Sequence, residues 1–162
     1  MKKLSASSIG LIIFLWLIDV SSKFAVYKYL SDGSILNVLG DLLRFRLVYN
    51  TGGVFGIFQG NATLFHIMSG IAIIVLFVYY LKSPYQDTPF VVAVCLILGG
   101  ALGNFTDRFF ISGVVDFIDM GFGAYRWPTY NMADVWLFFG AVTLMIYFYK
   151  VEKLEQAGKK ST

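Results

Sequence analysis

The chain has 162 residues, of which 57% are hydrophobic, 18% aromatic and only 14% charged, with a formal net charge of +3. That is more apolar sequence than one small soluble core needs, and it points to a lipid solvent. The charges cluster at the ends, with Lys2 and Lys3 at the start and Lys150, Lys153, Lys159 and Lys160 around Glu152 and Glu155 at the close, which excludes the basic stripe of a nucleic-acid surface.

The first apolar segment runs from Ile9 to Leu30 and is long enough for a helix to cross the hydrocarbon. Two lysines before an apolar run resemble a secretory signal, but no small-x-small cleavage site follows. Asp19, Lys23 and more apolar sequence come instead, so an uncleaved helix is expected. Asp19 and Lys23 lie four apart, share a helix face, and are expected to pair as a structural couple that anchors the helix near the outer interface.

Residues 31–63 contain "SILNVLGDLLRFRLVYNTGGVFGIF". The alternation around Arg44, Arg46 and Val48, with its β-branched and aromatic residues, predicts short strands of a small sheet at the membrane surface. Gly52, Gly53 and Gly56 allow positive φ or close backbone approach, and equally suit a turn linking two strands.

The second apolar segment spans Leu64 to Leu81. Its single His66 has no second ligand at metal spacing and reads as a hydrogen-bonded interface residue. After the short loop "KSPYQDTP", a third segment runs from about Phe90 to about Phe110. Its Cys95 is the sole cysteine, has no internal disulfide partner, and reads as a small core residue. Gly99, Gly100, Ala101 and Gly103 permit tight helix packing. Asn104 and Arg108 share a face that suits a peptide carbonyl, a lipid head group or neighbouring carboxylates, whereas Asp107 points elsewhere. The fourth segment covers Met132 to Tyr149, with a tail over residues 150–162.

Helix is the state that satisfies backbone groups in lipid, so these segments are expected to form four transmembrane helices in one domain over residues 1–162. The bias of lysines towards the cytoplasm puts both tails and the Lys82 loop inside. Residues 31–63 and 111–131 then form loops on the outer side.

The second outer loop and the helix start after it read "GVVDFIDMGFGAYRWPTYNMADVW", with Asp116, Asp119 and Asp134. Asp116 follows the third helix and Asp134 begins the fourth, so two helix ends can bring them together. Two close carboxylates share a proton, and such a pair can activate water and protonate a leaving group. Asp119, one turn from Asp116 if the stretch is helical, is a rival partner. Asp134 could instead cap its helix, and Asp116 and Asp119 could be solvated loop acids. Spacing leaves these open. No Cys/His cluster, HExxH motif or phosphate-binding glycine loop supports a metal or cofactor, so none is expected.

The ordered set "DVSSK", "YNTGGVFG", "GGALGNFTDR", "VVDFID" and "YNMADVW" resembles the lipoprotein signal peptidase (signal peptidase II) family over nearly the whole chain. The resemblance implies a membrane all-α fold of four transmembrane helices with a small extracytoplasmic β-sheet. It implies an aspartyl endopeptidase of the bacterial cytoplasmic membrane that cuts diacylglyceryl-modified prolipoproteins just before the lipidated cysteine. By motif match it makes Asp116 and Asp134 the catalytic pair. Asn50, Gly52, Asn104, Arg108 and Asn131 become substrate-binding or dyad-supporting residues, with Asp19 and Lys23 among the characteristic polar positions. Gly53 departs from the family's usual alanine. The partners expected are prolipoprotein substrates and membrane lipids, not nucleic acid, for a monomer. A small proton- or cation-carrying bundle is the main rival reading and a lipid-binding scaffold another, though three of the four helices lack the mid-span carboxylate that a relay would need.

Overall fold

The structure, a computed structural model, describes residues 5–52, 62–111 and 113–160. Its helices are α1 (Ala6–Leu30), α2 (Ala62–Lys82), α3 (Thr88–Ile111) and α4 (Met132–Lys160). Among the described residues these four are long and apolar enough to cross a membrane. Each contains the segment expected from the sequence. α4 differs in continuing through the expected tail to Lys160. Residues 150–157 are good helix formers, and Gln156 Nε2 donates to Glu152 Oε1 at 3.0 Å one turn away.

α3 is the centre of the bundle and packs against all three other helices. Its buried side is made of Phe90, Ala93, Val94, Cys95, Leu98, Gly99, Gly100, Gly103 and Asn104. Small residues set the helix distances there, as they must where lipid provides no hydrophobic drive between helices. A Cβ on Gly99 would stand 2.8 Å from Leu15 Cβ of α1, and one on Gly100 would stand 2.5 Å from the Ala133 carbonyl of α4. Large apolar side chains point outward instead, among them Ile67, Ile71 and Ile74 on α2 and Phe138, Phe139 and Met145 on α4. Such a surface suits a lipid neighbour.

One end of the bundle carries a four-stranded antiparallel sheet in the order β1 (Leu36–Leu39), β2 (Leu43–Asn50), β3 (Val114–Phe122), β4 (Tyr125–Arg126). The α1–α2 connection supplies β1 and β2, while the α3–α4 connection supplies β3 and β4. This corrects the expectation of a loop over residues 111–131. The run "VVDFI" has the β-branched and aromatic residues that favour a strand, and β2 offers it an edge. Asn50 faces Val114, Val48 faces Asp116 and Arg44 faces Asp119 across the ladder. Asp119 is therefore on a strand, not one helical turn from Asp116. Val26 and Leu30 at the end of α1 pack with Phe117 and Ile118 of β3, seating the sheet on the bundle. Gly40 and Gly123 hold positive φ at the two hairpin turns.

Candidate active site

Asp116 leaves β3 as a buried side chain, 3% exposed. Its Oδ2 accepts from Asn50 Nδ2 at 3.0 Å, and its Oδ1 accepts from Asn131 Nδ2 at 2.7 Å. Asn50 is set by its own turn, because its Oδ1 accepts the Gly52 N–H at 3.0 Å. Strand β2 thus delivers one amide to Asp116, and the start of α4 delivers the other.

Asp134 sits in the first turn of α4. Asn131 and Asp134 form a reciprocal capping box. The Asp134 N–H donates to Asn131 Oδ1 at 3.0 Å, and the Asn131 N–H donates to Asp134 Oδ2 at 3.2 Å. Asp134 is thus held by the helix start that the sequence had offered only as an alternative role. Its other oxygen accepts from Asn104 Nδ2 at 2.9 Å. Asn131 is fully buried and donates also to Asn104 Oδ1 at 3.0 Å and to the Val115 carbonyl at 3.2 Å. Asn131 and Asn104 therefore stitch the two carboxylates into one network.

The network rests on a buried ion cluster. Lys23 Nζ lies 2.7 Å from Asp19 Oδ2 and 2.8 Å from Asp107 Oδ2, and donates to Asn104 Oδ1 at 3.1 Å. With two acceptances on Asn104 Oδ1, its amide group is turned so that Nδ2 faces Asp134. Asp19 does more than pair with Lys23, because its Oδ1 accepts the Ala133 N–H at 2.8 Å at the start of α4. Gly103 leaves the room for that carboxylate. Asp107 also accepts the Val115 N–H at 3.0 Å, tying the end of α3 to β3. Sequence reasoning assigned Asp107 no partner. The signal available was its spacing from Asn104, which puts it on the side of α3 that turns to α1.

Burial pushes the Asp116 carboxyl up to about 7. The Asn50 hydrogen bond opposes this, the nearby Asp134 charge adds to it, and Asn131 and Lys23 oppose it more weakly. Asp119 goes the other way. Burial raises it, but hydrogen bonds from Arg126 and Arg44 and the charge of Arg46 more than reverse that, leaving it below the usual carboxylate range.

Asp116 and Asp134 line one open cavity of about 1080 Å³ with Asn50, Gly52, Asn104 and Arg108. Asn131 lies beneath it. Arg108 Nη1 donates to the Asn104 carbonyl at 3.1 Å, and its guanidinium lies 6.0 Å from the Phe65 ring centre. The remaining wall is mainly apolar, with Leu137, Phe138 and Phe139 of α4 on one side and residues 125–130 on the other. The sequence-expected site residues thus meet in one place, with Asp19 and Lys23 behind them. Asp119 is brought elsewhere, and neither Asp116 nor Asp119 is a solvated loop acid. His66 Nδ1 lies 3.2 Å from the Arg108 carbonyl, as an interface residue should. Gly53 and Gly56 lie outside the described residues.

Fold and site together define a multi-pass membrane protein with a carboxylate site at the sheet end of its bundle. Two solved structures share this architecture. One bacterial membrane enzyme, solved by the in meso method at 2.3 Å, matches with a TM-score of 0.84 and 32% identity, covering 92% of this chain and 91% of its own. Another, at 1.9 Å, matches with a TM-score of 0.81 and 31% identity, over 91% and 95% of the two chains. Residues 11–150 match the profile of signal peptidase (SPase) II. The lipoprotein signal peptidase of Halalkalibacterium halodurans is 36% identical over 89% of this chain and 90% of its own. That of Treponema denticola is 41% identical over 72% and 73%, and that of Staphylococcus aureus 32% over 90% and 89%. The chain belongs to the signal peptidase II family and is a membrane-embedded peptidase.

Proposed function

We propose that the chain removes the signal peptide from diacylglyceryl-modified prolipoproteins, cutting just before the lipidated cysteine by aspartyl chemistry. The names of the curated relatives support the substrate class. The observation that carries the aspartyl reading is the joining of Asp116 and Asp134 through Asn131 and Asn104 at the floor of a largely apolar cavity.

Burial favours the protonated form of Asp116, and the two carboxylates act as a pair that shares one proton. The carboxylate takes a proton from a water, whose oxygen attacks the scissile carbonyl carbon. The protonated partner polarises the carbonyl oxygen. As the C–N bond breaks, the leaving nitrogen takes a proton from the pair, which returns to its starting charge. Asn50, Asn104 and Asn131 hold the carboxylates in place, and Arg108 offers donors to the peptide backbone or a head group. The signal helix arrives through lipid along the apolar α4 wall, with its own backbone bonds satisfied. The lysine-bearing ends lie in the cytoplasm and the sheet end faces outward from a bacterial cytoplasmic membrane. The working unit is a monomer among membrane lipids.

The test is cleavage of a diacylated prolipoprotein by purified protein. Asp116→Asn and Asp134→Asn are each expected to lower kcat by about a thousandfold or more. Full activity in either variant overturns the dyad. Asp119→Asn is expected to keep its kcat, and loss of activity in that variant alone would mean the pair has been misassigned.

A further inference from the structure

Asp119 takes no part in the chemistry proposed above, yet its side chain is 0% exposed and gathers three guanidinium groups. Arg44 Nη2 donates to its Oδ2 at 3.0 Å, Arg46 Nε lies 3.3 Å from the same oxygen, and Arg126 Nε donates to Oδ1 at 2.9 Å. Arg126 Nη2 also donates to the Asp119 carbonyl at 2.9 Å. A lone neutralising partner would satisfy the charge. Three partners from two separate elements make a junction. Arg44 and Arg46 belong to β2, whereas Arg126 opens the segment 126–130 that forms one wall of the cavity.

That segment has a slender backbone attachment. β4 pairs with β3 at only two positions, Gly121 with Arg126 and Phe122 with Tyr125. Trp127 then donates its N–H to the Met120 carbonyl at 2.8 Å, and Tyr130 bridges to Ile118. Between these anchors lie Pro128, which has no N–H, and Thr129, whose hydroxyl accepts from Arg46 Nη2 at 3.0 Å. The segment also crosses β3 very closely, since a Cβ on Gly121 would stand 2.7 Å from Arg126 Cα. Asp119 itself points away from the reacting atoms. Val114, Asp116, Met120, Gly121 and Phe122 of β3 line the cavity, whereas the Asp119 side chain is turned to Arg44 and Arg126 and does not.

We infer that Asp119 is a positioning residue which, through Arg126 and Arg46, fixes segment 126–130 as a rigid wall of the cavity and thereby governs substrate capture rather than bond cleavage. This rests on the peptidase reading above. The wall presents Trp127, Pro128 and Tyr130, a surface suited to the apolar part of a lipid-bearing peptide. Removing the Asp119 charge leaves the three arginines with Asp41, which is 3.0 Å from Arg44 Nη1 and 3.5 Å from Arg126 Nη1 and half exposed, so the buried side of the junction loses its carboxylate and Arg46 loses its charge partner.

The experiment titrates diacylated prolipoprotein against wild type, Asp119→Asn, Arg126→Gln and the double variant. Asp119→Asn is expected to raise KM about fivefold or more while kcat stays within about twofold. The pH at which kcat falls should not move. The double variant should be no worse than the more damaging single one, because both break one junction. Loss of kcat with KM unchanged, or additive effects in the double variant, overturns the inference. A second readout needs no activity: trypsin should cut after Arg126 about tenfold faster in Asp119→Asn, by local opening of the wall. If wild type leaves prolipoprotein uncut, the peptidase reading fails while this proteolysis still decides the junction. Should Asp119→Asn not fold, Arg46→Gln replaces it, and unchanged KM with unchanged proteolysis there overturns the inference.

Discussion

In the proposed chemistry the residue on which most depends is Asp116. Its side chain is buried on β3 and two amides hold its oxygens. Because burial lifts its carboxyl from 3.8 to about 7, the native protein keeps a proton that the unfolded chain has already released in that window. The native state therefore binds more protons, and stability falls as pH rises through the window, by up to about 1.4 kcal/mol per unit. Two outcomes are expected. The kcat/KM for prolipoprotein cleavage declines above about pH 7, as the pair loses its shared proton. The thermal midpoint of wild type drops between pH 5 and 8, whereas that of Asp116→Asn stays level. A rate that keeps rising to pH 9, or parallel melting curves for the two proteins, would contradict this account.

At the scale of elements, the start of α4 does two jobs with one motif. In "NMAD", Asn131 caps the helix while its amide holds Asp116, and Asp134 completes the capping box while facing the cavity. Asp19 adds a third bond from α1 to the same helix end. Stability and site geometry are thus coupled, but they can be separated. Asn131→Ala loses the cap, worth about 1 kcal/mol, and leaves Asp116 short of a donor. Asn131→Ser retains a capping oxygen but cannot reach Asp116 with an amide. Its melting temperature is expected to fall less than that of Asn131→Ala while its kcat stays reduced by about tenfold or more. Recovery of both in Asn131→Ser would show that the amide has no role beyond capping.

For the whole molecule, the question is which side of the membrane each end occupies. The lysines of α4's end and the Lys82 turn lie at the end of the bundle opposite the sheet. The proposed topology, which follows the positive-inside bias, has that end in the cytoplasm. Cys95, 1% exposed, is a silent background for labelling. An Asn37→Cys variant should react with an impermeant maleimide added to intact cells, and a Gln156→Cys variant only after permeabilisation. The reversed pattern would place the site on the wrong side for a substrate delivered to the outer face.

Much of this protein was determined by sequence alone. Long apolar runs have one solution in lipid, so four helices were legible from composition and length, and the glycines of α3 marked the tight contacts. The ordered motifs also identified the polar residues that meet at the cavity. The tertiary structure decided what depends on contacts between distant segments. β3 is a strand because β2, far away in the chain, supplies its ladder; the β-branched and aromatic residues of "VVDFI" favour that state but need the edge to form it. Asp107 turned out to face Lys23, and Asp119 to gather arginines from two elements, because ion pairs form by proximity in space rather than along the chain. The extension of α4 to Lys160 depended on helix propensity continuing past the last apolar residue, which hydropathy does not register. Periodicity and hydropathy report how each segment meets its solvent, whereas the partner of each buried charge exists only once the segments are packed together.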